Sequence, residues 1–354
     1  MHVDFSLFYF GNDSTSPQDS GNRYDLVLEG ARFADAHDFT AVWTPERHFH
    51  PFGGLYPNPA VTGAAIAAVT SRVAIRAGSV VAPLHHPLRI AEEWAVVDNI
   101  SAGRVGLAFA SGWHATDFAL RPESYENRRE VLLDAVHQVR DLWRGEEAQV
   151  LDGTGSPRTV RSYPRPVQRE LPVWITSAGG IETFRNAGTL GAGVLTHLLG
   201  QDMDELSAKI AAYREAYAAR PDAAPGDRGH VVVMVHTYLD EDEDRARELV
   251  REPLTAYLRT SVGLLLGSQA HGSARTIDPA KLRDRDLDFL AQRAFDRYYE
   301  DGGLLGSLPK AAAVVERLVD LGADEVACLI DFGLPAKTVL DGLHQLDALR
   351  RASS

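Results

Sequence analysis

Cysteine is nearly absent from this chain: one residue in 354, Cys328. A single thiol excludes an internal disulfide and any zinc or iron–sulfur centre built on several cysteines. No apolar run reaches the roughly 18 residues a helix needs to cross a bilayer. The first residues, HVDFSLFYF, carry no basic leader and read as a strand, not a signal peptide. Positive charge is also scarce: Lys and Arg total 36 against 49 Asp and Glu, a formal net charge of −13. Such a surface repels nucleic acid and anionic membranes, so neither is expected as a partner. A cytoplasmic location is the simplest expectation. Internal repeats and low-complexity tracts are missing, and no G-x-G-x-x-G follows the first strand, which counts against a dinucleotide-binding open sheet.

What is present is an alternation of strand and helix patterns. Apolar residues make up 45% of the chain, enough for one large core. Eight strands are expected at 3–10, 40–44, 72–81, 104–110, 172–178, 192–198, 230–239 and 325–332. Helical spacings fall between them at 22–36 (capped by Asn22 or Gly21), 60–70, 88–100, 125–143, 181–188, 203–219, 309–322 and 336–350. Residues 145–170 break the rhythm with DGTGSP turn chemistry, and Pro164, Pro166 and Pro172 follow closely, so an excursion, a hairpin, is expected there. Residues 241–300 read as mostly helical with an irregular middle at 263–278, and DEDEDRAR (240–247) reads as a solvated helix start. The expected fold is therefore α/β, a single (β/α)₈ TIM barrel over 1–354, with insertions after the fourth and seventh strands. A doubly wound open sheet is the alternative.

In such a barrel the chemistry belongs on the loops that follow the strands. Four polar clusters fall there: PERHFH after the second strand, PLHHP (83–87) after the third, SGWHATDF (111–118) after the fourth, and SAGGIET (177–183) after the fifth. His48-x-His50 is a metal-pair spacing, with His114, Asp117, His197 or His236 as further ligands, and a metal-dependent barrel hydrolase follows from that option. No tight triad spacing accompanies it, and polar loop residues with His85 or His86 packed beside Pro87 are the simpler account. SAGGIET places small residues before a helix, where free N–H groups form an anion site with Gly179, Gly180 and the Thr183 hydroxyl. Gly78 and Ser79 end the third strand with small side chains, which lets a flat ring lie against the main chain.

Together these segments resemble the bacterial luciferase-like, flavin-dependent monooxygenases. The residues that carry the likeness are ERHF, GGLYPNP, GSVVAPLHHPLR, AEEWAVVDNISAGR, ASGWH and PVWITSAG. YFGNDS, WTPERHF, GWHATDF, THLLGQ and EVACLIDFG are similar to the MupA-like subgroup found beside polyketide and nonribosomal peptide synthetases. The resemblance spans nearly the whole chain. It implies a luciferase-like barrel that binds reduced FMN at the C-terminal mouth of its strands, above a non-prolyl cis peptide at Gly78–Ser79. It implies a phosphate at Ser177, Ala178, Gly179, Gly180 and Thr183, bordered by Ser111 and Gly112. Two departures stand out. Luciferases carry a basic phosphate contact where this chain has Ser111. They also carry Glu-His-His, the first histidine catalytic, where this chain has Glu46, Arg47 and His48.

Arginine stays protonated near neutral pH and cannot act as a general base. Arg47 can hold an anionic flavin, a peroxide or a substrate carboxylate, with Glu46 as its expected partner. His48, Arg47 and His114 are the candidates for handling proton and substrate. Glu46, Phe49, Tyr56 and Trp113 are the candidates for the pocket wall; no metal is expected. The implied activity uses reduced FMN, supplied by a separate flavin reductase, and O₂ as co-substrate to hydroxylate a natural-product intermediate or insert oxygen into it. That substrate is a small molecule or a group tethered to a carrier protein. Arg158, Arg161, Arg165 and Arg169 offer a basic docking patch for a carrier, or scattered charges on a solvated hairpin. The rival functions are a deazaflavin-dependent oxidoreductase on the same barrel, the metal-dependent hydrolase, and a flavin-binding protein without turnover. A homodimer through residues 60–70 and 88–100 fits their Ala- and Val-rich composition.

Overall fold

The computed structural model describes residues 2–13, 22–177, 179–269 and 284–353. Its strands in chain order are β1 (Asp4–Phe8), β2 (Ala41–Thr44), β3 (Ala74–Val81), β4 (Val105–Ala110), β5 (Ala148–Leu151), β6 (Pro157–Val160), β7 (Val173–Thr176), β8 (Gly193–His197), β9 (Val231–Leu239), β10 (Leu304–Gly306) and β11 (Glu325–Leu329). Eight of these, all but β5, β6 and β10, pair in parallel and close on themselves, because β11 joins β1 on one side and β9 on the other. The expected barrel is the fold found. Its strands are buried along nearly their whole length, β9 at every residue, which is why they read as continuous apolar runs and not as alternating ones.

The helices are α1 (Asp25–Ala36), α2 (Pro59–Val69), α3 (Pro87–Ser101), α4 (Arg128–Arg144), α5 (Ile181–Thr189), α6 (Met203–Ala218), α7 (Glu243–Gln269), α8 (Asp284–Arg297), α9 (Leu308–Asp320) and α10 (Ala336–Ser353). Local chemistry fixes their ends. Asn58 accepts the Ala60 and Val61 N–H groups ahead of Pro59, and Asp202 and Glu205 form a reciprocal capping box on α6. The hairpin β5–β6 is the expected excursion. Its arginines are largely consumed locally: Arg158 pairs with Asp152 at 2.8 Å, Arg161 with Glu147 at 3.0 Å, and Arg165 donates to the Leu142 and Trp143 carbonyls that end α4.

Three expectations change. Helix α1 starts at Asp25, not at 22, since Asn22 spends its carbonyl and side chain on the turn before it. Gly21 lies outside the described residues. The irregular stretch expected from 263 is helical through Gln269; residues 270–278 lie outside the described residues. The short strand β10, which the sequence reading did not anticipate, extends β9 beyond its pairing with β11.

The barrel floor is a polar plug. The fully buried Glu325 carboxylate accepts from Ser6 (2.5 Å), Trp43 (2.9 Å) and Arg76 (2.6 Å), while the Arg76 guanidinium lies over the Trp43 and Trp174 rings. Burial opposes the charge on Glu325, but Arg76, His230 and the hydrogen bonds outweigh it and hold its carboxyl below the ordinary range. Among the described residues, Asp4, His230 and Glu325 are the three side chains close enough to share a metal. They sit at this floor, away from the loops, and are already engaged: Trp174 donates to His230 Nδ1 at 3.0 Å, and Arg76 occupies Glu325.

Candidate functional site

The loops after β2, β3, β4 and β7 meet at the opposite end of the barrel. A cavity of about 790 Å³ opens there between the end of β4, the start of α4 and the start of α5. Ser111, Gly112 and Trp113 form one wall, and Ser177, Gly179, Gly180 and Thr183 form another. Sequence reasoning placed all seven at the mouth, and the structure brings them around one space. Ala178 lies outside the described residues.

The α5 side has the character of an anion cradle. Ser177 is buried and its hydroxyl has no hydrogen-bond partner among the described residues. Gly180 precedes the helix without a side-chain cap, and a side chain at Gly179 would meet nothing within 4 Å. Glu182, the acid in that first turn, is tied to Arg185 at 2.6 Å. Free N–H groups, an unpaired hydroxyl and open space are what a phosphate needs. Arg128 and Arg129, from the start of α4, line the same cavity, and Arg128 Nε is buried without a partner among the described residues. They bring positive charge to the same lining as the neutral Ser111, and Arg128 Nη1 donates to the Tyr125 carbonyl at 2.7 Å.

The floor beside the cradle is β3. The Gly78–Ser79 peptide is cis, as the resemblance implies. Gly78 is dictated by packing: a β-carbon there would lie 2.7 Å from the Phe8 ring and 3.1 Å from Trp43. Ser79 and the cavity-lining Thr176 share a hydrogen bond of 2.6 Å. Gly112 meets a different demand, since its φ of +73° is a left-handed conformation and a β-carbon would press on Phe118 at 2.9 Å.

Glu46 is the hub of the loop after β2. Its carboxylate accepts from His48 Nε2 (2.8 Å), His85 Nε2 (2.6 Å) and the Val81 N–H (2.7 Å). Burial works against its charge, but these donors win and hold the carboxyl below its ordinary range. The same contest runs the other way at His85, where burial opposes the proton and the Glu46 carboxylate outweighs it, raising the imidazole. An ionised Glu46 fixes the His48 tautomer: the proton sits on Nε2 in the neutral ring, and Nδ1 is left to accept.

The expected Glu46–Arg47 pair is not formed. Consecutive side chains leaving a strand point to opposite sides, and Arg47 turns to Asp117, whose two carboxylate oxygens it binds through Nη1. Both are buried, with Arg47 2% exposed. Burial raises the Asp117 carboxyl, against the opposing pull of Arg47. The Trp113 ring lies 5.3 Å from the guanidinium carbon. His114 and His50 stand nearby, and burial and then the Arg47 charge lower both, so each is neutral near pH 7.

The other named residues are placed as follows. Tyr56, expected in the wall, is buried, donates to Asp331 at 2.9 Å and, like Glu46, is not among the residues lining the cavity. Phe49, expected in the wall, is 62% exposed with φ +54° and does not line the cavity; its ring lies 5.6 Å from His48, on the outer side of the loop. His50 Nδ1 accepts the Phe52 N–H and His48 is held by Glu46, so each ring of the metal-spaced pair has a nitrogen already engaged. His236 is packed among Tyr257, Tyr298 and Phe332, and burial lowers it to about 3. Two contributors were missed. His85 was set aside as packing, although PLHHP at a strand end was the available signal. Asp331, raised by burial to about 6, lies two residues beyond the end of β11.

The luciferase-like monooxygenase family model matches residues 3–325. In sequence the chain is 27% identical over 251 residues to the oxygenase component of the flavin-dependent trigonelline monooxygenase of Acinetobacter baylyi, covering 70% of this chain and 68% of that protein. In structure it is similar to the oxygenating constituent of 3,6-diketocamphane monooxygenase from Pseudomonas putida, solved with FMN: TM-score 0.74, 16% identity, 98% of this chain and 97% of that one. An F420-dependent secondary alcohol dehydrogenase solved with an F420–acetone adduct is nearly as alike, with TM-score 0.73, 18% identity and 100% of both chains. At such identities the structural likeness speaks for the fold alone.

Proposed function

Because this chain belongs to the luciferase-like monooxygenase family, we propose that it is an FMN-dependent monooxygenase acting on a natural-product intermediate, of the MupA-like kind. The observation that carries the cofactor assignment is the cradle in the large cavity: the Ser177 hydroxyl, without a partner among the described residues, the uncapped α5 terminus at Gly179 and Gly180, and Arg128 and Arg129 of α4 lining the same space. When bound, reduced FMN supplies the activation of O₂. Ser177, Gly179, Gly180, Thr183 and Arg128 hold the phosphate. The backbone at Gly78–Ser79 gives the ring a flat floor. Trp113 and the apolar Leu132, Leu133 and Ile175 keep water from that space. Proton transfer falls to His48 through Nδ1, with Glu46 fixing its tautomer and His85 balancing the charge of Glu46. Arg47 takes no part as a base.

A separate reductase supplies the reduced flavin, and the substrate is a free or carrier-tethered intermediate. Two arms of the cradle are testable without knowing it. Ser177→Ala and Arg128→Ala each weaken binding of reduced FMN about tenfold or more, the worth of a hydrogen bond to a charged group, while leaving the fold intact. Unchanged affinity in both, measured by anaerobic fluorescence titration, contradicts the placement. The deazaflavin-dependent oxidoreductase is the second reading, and the same titration with a deazaflavin separates the two. Exposed Val61 on α2 with Val96 and Ile100 on α3 favours a homodimer through these helices. Light scattering tests it, and a monomer mass at micromolar concentration rejects it.

A further inference from the structure

Arg47 is a buried cation only half used. Nη1 serves Asp117, but Nε and Nη2 have no partner among the described residues. His114 Nδ1 is likewise buried and makes no hydrogen bond among the described residues, standing 3.7 Å from Asp117. An unsatisfied charged donor is costly to keep in a folded protein, so a guanidinium edge left open at the mouth of a barrel points to something that binds it. The Nε–Nη2 edge offers two parallel N–H donors at the spacing of a carboxylate's two oxygens. Trp113 touches both places: its ring lies over the guanidinium, 5.3 Å from the central carbon, and it lines the cavity, where it is 37% exposed.

We propose that Arg47 is the recognition residue for a substrate carboxylate, reached from the cavity when the Trp113 indole swings aside. This rests on the monooxygenase reading and names its substrate class: a planar or apolar acid, since Leu132, Leu133 and Ile175 form the walls beyond Trp113. Arg47 thus sets specificity at the position where related enzymes keep a base. The charge that ties it to Asp117 holds the guanidinium in place; the open edge reads the ligand.

The test uses the full-length protein without flavin, so its outcome is independent of the cofactor. Benzoate and its uncharged isostere benzamide are titrated calorimetrically. Wild type should favour benzoate about tenfold or more, the usual worth of a charge-assisted hydrogen bond. Because Arg47→Met alone strands Asp117, the variant is Arg47→Met/Asp117→Asn, which removes both charges; it should lose the preference. Trp113→Ala, which removes the ring that lies over the guanidinium and keeps both Arg47 and Asp117, should bind benzoate more tightly than wild type. Equal affinity for the two probes in wild type, no binding of either, or a preference that survives Arg47→Met/Asp117→Asn overturns the proposal. If reduced FMN fails to bind while benzoate discrimination holds, the flavin reading fails and the carboxylate site stands.

Discussion

Glu46→Gln lowers oxygenation by about 10²–10⁴-fold, the span typical for losing a positioned acid–base group. The substitution keeps the shape and removes the charge. The amide oxygen still accepts from the Val81 N–H, but the carboxamide cannot accept from both His48 and His85. His48 then loses the partner that fixes its tautomer, and His85 loses the charge that raised it. Product formed per reduced flavin is the measurement, with peroxide release rising in step as turnover falls. A pH signature accompanies it. The lowered Glu46 carboxyl contributes stability that is present above the ordinary value of 4.5 and lost as pH falls through its folded value. The raised His85 contributes stability present below the ordinary 6.5 and lost as pH rises through its folded value. Wild type therefore gains most from the pair between 4.5 and 6.5, and Glu46→Gln flattens that window in urea denaturation.

Asp117→Leu destabilises the protein by about 3–5 kcal/mol, because Arg47 is left charged, buried and without a counter-ion. Guanidinium cannot shed its proton to escape the penalty. Arg47→Met together with Asp117→Leu recovers most of the loss, since no lone charge remains. Chemical denaturation of the three variants separates the cases. Equal stability of Asp117→Leu and wild type would mean that Arg47 finds another anion or reaches solvent, against its 2% exposure.

The barrel was legible in the sequence because its strands are buried on both faces. Runs such as HVVVMVHTYL announce a parallel strand without needing periodicity, and β9 is buried at every residue. Strand β10 was invisible: LLG is too short to carry a pattern, and only its pairing with β9 makes it a strand. The mouth was legible by position, since each polar cluster follows a strand, and Ser111, Gly112, Trp113, Ser177, Gly179, Gly180 and Thr183 do share a cavity.

Partnership was not legible. Glu46 and Arg47 are adjacent letters and looked like a pair, yet their side chains diverge to His48 and His85 on one side and to Asp117, 70 residues away, on the other. Such contacts depend on loop paths that spacing does not encode. Arg128 escaped notice for a related reason. It looks like a helix-start arginine, and only the folded position of α4 makes it line the same cavity as the α5 terminus.

The central claim is that the cradle beside β3 holds reduced FMN. Anaerobic titration of the purified chain with reduced FMN tests it most directly, followed by admission of O₂. Saturable binding at about 10 µM or tighter, weakened in Ser177→Ala and Arg128→Ala, with oxygen consumed once air enters, is the predicted result. No saturation up to about 1 mM, or tight binding of a deazaflavin that leaves O₂ untouched, would contradict it.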